Sequence, residues 1–469
     1  MLLQLQSLLR KTQIALAPTL KAYKRIFRLH EIEESLVLKS SLGAILFFFF
    51  LTFQMWMRSS STTLSTAAAG KAVCWPYFQN CSDLYFLETF PSSYSQSLWY
   101  MVLFGIMLSV AYAMWRKHWT VAHLLLVPLL LWKVFSIFVL SYTMNGPYDY
   151  YHVVFTVIFL FLPYKEYFLK LAVVILYFLS ATIKLHSTWV LGTYFSALQT
   201  GLPLFPDSLI PLATNLVIFE QIVGAWFLLS RNLLWQRISL AFLIFFHLYS
   251  GIFVYYHYPS VILPLLIILF GPLYTYTSPP TDRKSIPSWI FVLMVMLFQV
   301  PGLIIPSPGD RRMTLEGNRY GMFMFEANHQ CIATITTVRN DRAVAGTIDK
   351  PITESPFSCG RFYCVTRKTQ YQNGANAVTT TRHEAASAWN RCDPHTFWSQ
   401  YHTQCDRDAG IVRIGMTFDH SINGGPFYRI VDTSNICDLS YSAASHNEWI
   451  AVPPAAKIVG YPVKNFYQF

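Results

Sequence analysis

A succession of long apolar runs through the first three hundred residues constrains this 469-residue chain more than any other feature. Hydrophobic residues make up 54% of it and charged residues 13%. A soluble domain of this length carries about 25% charged residues. From Arg311 onward the runs give way to mixed, globular sequence. The pattern implies a polytopic α-helical membrane bundle of about eight or nine spans, followed by a C-terminal extramembrane α+β or mostly β domain. Three divisions are expected: a cytoplasmic amphipathic segment over 1–36, a transmembrane helical domain over 37–306 and an extracytoplasmic, disulfide-containing domain over 307–469.

Candidate spans are Val37–Met57, Ser97–Trp115, Thr120–Tyr142, Tyr150–Pro163, Leu169–Leu185, Pro211–Leu229, Ile238–Tyr256, Pro259–Tyr274 and Trp289–Ile305. Several fall short of the roughly 20 residues a full crossing needs, so some are half-buried or re-entrant candidates. Basic residues collect at Arg116-Lys117, Lys165 to Lys170, Arg231 to Arg237 and Arg283-Lys284. With the N-terminus inside, all four loops are cytoplasmic, as positive-inside sorting demands. The C-terminal domain is then lumenal in an ER membrane or periplasmic in a bacterial cytoplasmic membrane. The basic residues from Arg10 to Arg28 precede the first span, which accounts for much of the net charge of +11 without nucleic acid. No cleavable signal peptide is expected, and Pro18 should part the amphipathic segment into two short helices.

All eight cysteines, Cys74, Cys81, Cys331, Cys359, Cys364, Cys392, Cys405 and Cys437, lie in segments assigned to the outside. That segregation points to disulfides in an oxidising compartment. Cys392 with Cys405 and Cys74 with Cys81 are the pairings closest in sequence, while a bridge from the outer loop to the C-terminal domain stays open. Zinc-type spacing is absent, so no metal is expected. Asn80-Cys81-Ser82 is a glycosylation sequon on the same side. In the C-terminal domain, alternation at Ile332–Val338 and Ile411–Phe418 predicts strands. Asn373-Gly374 and Asn423-Gly424-Gly425 predict turns, and His383 to Gln404 could be helical.

Lys184 ends the apolar run that begins at Leu176 and is followed by His186-Ser187-Thr188-Trp189. An ammonium in an apolar membrane helix is costly and marks a functional candidate, whereas a lysine near a helix end commonly snorkels to the headgroups. Glu220 within Leu216–Val223 must be paired, protonated or turned to a polar cavity; structural glue and pairing with Lys184 or His247 are both open. His247 is either a satisfied core histidine or a pocket residue.

Lys184-Leu185 with Trp189, Leu191 and Gly192 resembles the motif of the vitamin K-dependent γ-carboxylase and its bacterial relatives, the horizontally transferred transmembrane domain family. Phe246-His247 resembles that family's Phe-His in a later span, and Glu220 lies where an acidic residue is common. Thr314 to Tyr320 resembles the outer segment after the last span. Asp393-Pro394, Gln400-Tyr401, Ser421 to Asn423 and Asp432 resemble scattered marks of the domain behind it. The resemblance implies an enzyme, a carboxylase that is a carbon–carbon lyase. It couples oxygenation of reduced vitamin K, or another quinol, to its epoxide with CO2 addition to a peptidyl Glu. O2 and CO2 are co-substrates, and the partners are the lipid bilayer, the quinol and a Glu-containing secreted or membrane peptide.

Lys184 would be the base that removes a phenolic proton, in a site kept dry by the membrane. The family's Asn-His pair is altered: its His aligns with Tyr148, and the nearest histidine is His152, one helical turn on. His152 is the favoured proton-passing residue. Tyr148, His247, Glu220, Trp189, Asn318 and Arg319 are the quinone or substrate pocket candidates, with Asn318 standing where relatives carry His or Tyr. The alternatives are a quinol epoxidase or oxidase without carboxylation, and a non-catalytic quinone- or lipid-binding membrane protein.

Overall fold

The computed structural model describes residues 18–68, 92–135, 147–196, 202–253, 257–305, 310–317, 321–323, 327–340, 353–360, 363–373, 378–386, 392–453 and 455–459. Cys74, Cys81, Asn80, Asn318 and Arg319 lie outside these residues, as do the side chains of Cys359 and Cys364. The chain is mostly helical up to Ile304 and mostly antiparallel sheet after His329.

Among the described residues, five stretches are long and apolar enough to cross a membrane: Leu36–Gln54, Leu98–Trp115, Asp207–Leu229, Leu233–Phe253 and Arg283–Ile304. Shorter apolar helices run over Trp119–Val134, Tyr148–Phe161 and Tyr258–Phe270. Most residues of Leu98–Trp115 and Leu233–Phe253 are left unburied, with Met101, Trp115, Phe245 and Ile252 outermost. Those apolar faces suit lipid, because hydrocarbon offers no competing hydrogen bonds and a helix satisfies its own backbone. The Lys165–Thr182 helix is the opposite case. It is buried along nearly its whole length and forms the centre of the bundle.

The bundle corrects one assignment. Lys165 to Lys170 is not a loop but the first turns of the central helix, and Lys165 and Lys170 are buried. The N-terminal segment makes this possible. Its short helix, Leu29–Glu34, buries Leu29 and Ile32 against the bundle. The Glu31 carboxylate accepts the backbone N–H of Tyr164 at 3.1 Å and of Lys165 at 2.8 Å, capping the orphan donors of a helix start. Lys170 donates to Glu166 at 2.8 Å and to the Thr275 carbonyl at 2.8 Å. Leu29–Glu34 therefore packs against the start of the central helix.

The C-terminal domain is a seven-stranded antiparallel sheet in the order β2-β3-β4-β1-β5-β6-β7. Its strands are β1 (His329–Arg339), β2 (Thr353–Gly360), β3 (Tyr363–Asn373), β4 (Val378–Ala386), β5 (Ile411–Ile422), β6 (Phe427–Thr433) and β7 (Lys457–Val459). The two alternating segments form β1 and β5, which pair at the middle of the sheet. Asn423 takes φ 53° and Gly424 φ 71° in the β5–β6 turn, a left-handed conformation that Asn and Gly tolerate. His383 to Gln404 divides: His383 to Ala386 end β4, and the helix is Pro394–Arg407, capped by the Asp393 carboxylate on the His395 N–H at 3.0 Å.

That helix also overturns the pairing of Cys392 with Cys405. A cysteine before its first turn and one in its last lie about 17 Å apart along the axis, far beyond disulfide reach. Cys331 in β1 instead bridges Cys392, ahead of the helix, and Cys405 in its last turn bridges Cys437 in the turn Ile436–Asp438 that follows β6. The register of β2 and β3 sets Cys359 opposite Cys364. Non-reducing peptide mapping should recover Cys331–Cys392 and Cys405–Cys437, and a Cys392–Cys405 peptide would contradict the fold. The closed loops span 61 and 32 residues; replacing either pair by serine should cost the domain about 4 kcal/mol by chain entropy.

Candidate functional site

The central helix ends at Thr182, and the chain turns through Ile183, Lys184 and Leu185 before His186 extends. Lys184 points inward and is 3% exposed. Its Nζ donates to the Ser180 carbonyl at 2.7 Å and to Gln221 Oε1 at 3.1 Å, and lies 5.5 Å from the Trp189 ring centroid. A snorkelling lysine would show an exposed head. This one is held by neutral carbonyl oxygens and an aromatic face. Gln221 is 1% exposed and comes from the Ile210–Ile222 helix.

Trp189 and Tyr194 stack at 5.4 Å with an interplanar angle of 26°. Phe195 and Ile218 join them in a small apolar cluster. Gly192 makes the turn between Trp189 and Tyr194 at φ 73°, and a Cβ there would sit 2.8 Å from Ile210 Cγ2. The motif glycine is thus required both by conformation and by close approach.

About two turns back along the central helix, at Tyr177, lies a polar group of four side chains. The Tyr177 hydroxyl and His247 Nε2 are 2.5 Å apart, and Tyr258 donates to the Tyr151 hydroxyl at 3.1 Å. His247 is fully buried, and its Nδ1 has no hydrogen-bond partner among the described residues. His247, on the Leu233–Phe253 helix, is thus joined through Tyr177 to the central helix that leads to Lys184.

Glu220 behaves differently. It is half-buried, folds back over Gly224 and leaves Oε1 without a partner among the described residues. A Cβ at position 224 would come 2.0 Å from Glu220 Oε2, so the glycine makes room for the carboxyl. The residue of this helix that meets Lys184 is Gln221, one position on.

His152 belongs to a second buried cluster. Lys133 Nζ donates to Asp149 Oδ1 at 2.8 Å and to His152 Nδ1 at 3.0 Å, and packs 4.9 Å from the Phe48 ring centroid. His152 Nε2 donates to the Ile45 carbonyl at 3.0 Å. A carbonyl can only accept, so the ring carries its proton on Nε2 and its Nδ1 lone pair faces the lysine. Both nitrogens are engaged, which leaves His152 as an anchor between helices rather than an open proton acceptor. Tyr148 is buried beside this cluster, 6.1 Å from the Phe48 ring. Lys133 and Asp149 carry the same signal that singles out Lys184, ionisable groups at apolar helices, and sequence reading passed over both.

The C-terminal domain meets the Lys184 turn directly. Arg312 Nη1 donates to His186 Nδ1 at 3.2 Å, and Asn328 Nδ2 donates to the Tyr194 carbonyl at 2.5 Å. Burial and then the two arginines, Arg312 and Arg311, push His186 down to about 4, so it is neutral at pH 7. Among the described residues, no group of three His, Cys, Asp or Glu side chains could hold a metal ion.

No family model matches the chain, and neither a curated protein nor a solved structure does.

The Lys133–Asp149 pair is a buried ion pair, and removing one partner of such a pair strands the other. Asp149→Asn should destabilise the bundle by about 3–5 kcal/mol, read as a drop in thermal unfolding temperature in detergent. Lys133→Met with Asp149→Leu should recover most of the loss, and a double variant no better than Asp149→Asn would contradict the pairing.

Proposed function

We propose that this chain is a quinol-dependent γ-glutamyl carboxylase of the vitamin K-dependent type, with Lys184 as its base. The observation that carries the reading is the inward, nearly complete burial of Lys184 beside the Ser180 carbonyl, Gln221 and the Trp189 ring. An amine held in place beside a bound hydroquinone can take its phenolic proton as a general base. The apolar ring cluster of Trp189, Tyr194 and Phe195 beside it suits a flat, hydrophobic hydroquinone ring.

Oxygenation of the quinol supplies the driving force: O2 delivers one oxygen atom to the epoxide and the other leaves as water. Lys184 Nζ takes the phenolic proton that starts this. The Glu γ-carbon loses its proton to the strong base so generated and forms its new bond to CO2. No side chain can remove that C–H proton directly, so the protein's tasks are to hold the amine, exclude water and align the reactants. Tyr177 on the central helix and His247 on the Leu233–Phe253 helix, in contact with each other, are the polar groups proposed to meet the quinol beyond Lys184.

The same proposal includes nine crossings, a cytoplasmic N-terminus and a C-terminal domain in the ER lumen or periplasm. The bridges Cys331–Cys392 and Cys405–Cys437 support an oxidising compartment for that domain.

Purified protein incubated with reduced vitamin K, O2, bicarbonate and a Glu-rich peptide should yield peptide heavier by one CO2 per modified Glu, together with quinone epoxide, both read by mass spectrometry. Epoxide without peptide modification would replace the reading by a quinol epoxidase, and neither product by a non-catalytic quinone binder. Lys184→Ala should lower turnover by about 100-fold or more, with partial recovery on adding a small amine. Lys184→Arg should fail as badly, because a guanidinium stays protonated. Near-normal turnover of the Arg variant would refute the base assignment.

A further inference from the structure

The turn that carries Lys184 is gripped from two sides. On one side the Ile210–Ile222 helix supplies Gln221 to Lys184, and Asn215 Nδ2 donates to the Val190 carbonyl at 2.7 Å. The other side does not belong to the bundle at all. It is built from the segment after the last span and from the first residue ahead of β1.

We propose that the C-terminal domain is a working part of the Lys184 site, with Asn328 and Arg312 as positioning residues for the turn. The inference rests on the reading of Lys184 as a proton acceptor. Asn328 Nδ2 holds the Tyr194 carbonyl, Tyr194 stacks on Trp189, and the Trp189 ring faces the Lys184 ammonium. Arg312 holds the turn near its start, at His186, two residues from Lys184.

Both holding groups are rigid with the sheet. The Asn328 N–H donates to Asn423 Oδ1 at 2.9 Å, and the Asn423 N–H donates back to the Asn328 carbonyl at 2.8 Å. This reciprocal pair closes the β1–β5 end at the Asn423 turn. Arg312 is clasped by the Asp310 carboxylate, with Nε at 2.9 Å from Oδ1 and Nη2 at 2.6 Å from Oδ2. Next to it, the Met313 carbonyl accepts from His420 Nδ1 in β5 at 2.5 Å. The end of the sheet and the catalytic turn therefore move together. A displacement of about 1 Å at a reacting group is enough to cost about 100-fold in rate, so contacts outside the bundle set the competence of an amine inside it.

The test uses the full chain in lipid nanodiscs. Asn328→Asp keeps the shape and removes the amide donor, Asn328→Ala removes the side chain, and Arg312→Gln removes the guanidinium. Reductive methylation by formaldehyde and borohydride, mapped by mass spectrometry, reports the reactivity of Lys184, with Lys133 as a buried reference. Each variant should methylate Lys184 several-fold faster while Lys133 keeps its wild-type rate. The kcat for quinol epoxidation should fall about 10- to 100-fold, with KM for the quinol within about twofold. A merely structural role would instead raise both lysines together or lower the unfolding temperature, and that result overturns the proposal. So does wild-type Lys184 reactivity in Asn328→Asp and Arg312→Gln alike. If the Lys184 shift appears but the wild-type protein consumes no quinol, the positioning stands and the carboxylase reading falls.

Discussion

An ionisable group inside an apolar bundle must find its partners within the protein, because lipid offers none. That constraint organises this structure. The central helix, Lys165–Thr182, is apolar along its middle and charged or polar at both ends. At its start, Glu31, Glu166 and the backbone carbonyls absorb Lys165 and Lys170. At its finish, Ser180, Gln221 and Trp189 receive Lys184. Between them the helix carries Tyr177 to His247. The neighbouring helices are arranged so that each of these polar atoms has somewhere to go.

Two buried lysines, Lys133 and Lys184, meet different partners. Lys133 sits against the Asp149 carboxylate. Lys184 is met by carbonyl oxygens of Ser180 and Gln221. Lys133 thus ties two neighbouring helices together, and Lys184 joins the end of the central helix to the Ile210–Ile222 helix.

Much of this was legible in the sequence, and the limits have physical causes. Apolar runs reveal helices, so the bundle and its order emerge from composition alone. Period-two alternation reveals β1 and β5, and the Asn423 turn follows from its residue types. Lys184 stands out because a charge breaks an apolar run, and Trp189 and Gly192 through the resemblance of their motif. What sequence could not provide is which face of a helix turns inward. Glu220 attracts attention as a charge, yet Gln221 occupies the inward position, since adjacent residues on a helix diverge by about 100°. His152 draws notice as a histidine near the expected place, but its ring is committed to Lys133 and Ile45, partners from distant helices. Cysteines close in sequence do not pair when a helix separates them. The contacts of Asn328 and Arg312 join segments more than a hundred residues apart and leave no local trace.

The account stands on one geometric claim: the Lys184 amine lies inside the bundle and not at the headgroups. Exposing the protein in nanodiscs to a sulfonated, membrane-impermeant succinimidyl ester, with both faces accessible, tests it directly. Lys117, which is exposed, provides the reference. The account expects Lys117 to be labelled and Lys184 to remain unmodified after labelling of Lys117 is complete. Labelling of Lys184 at a rate comparable to Lys117 would place its head in water and contradict the account.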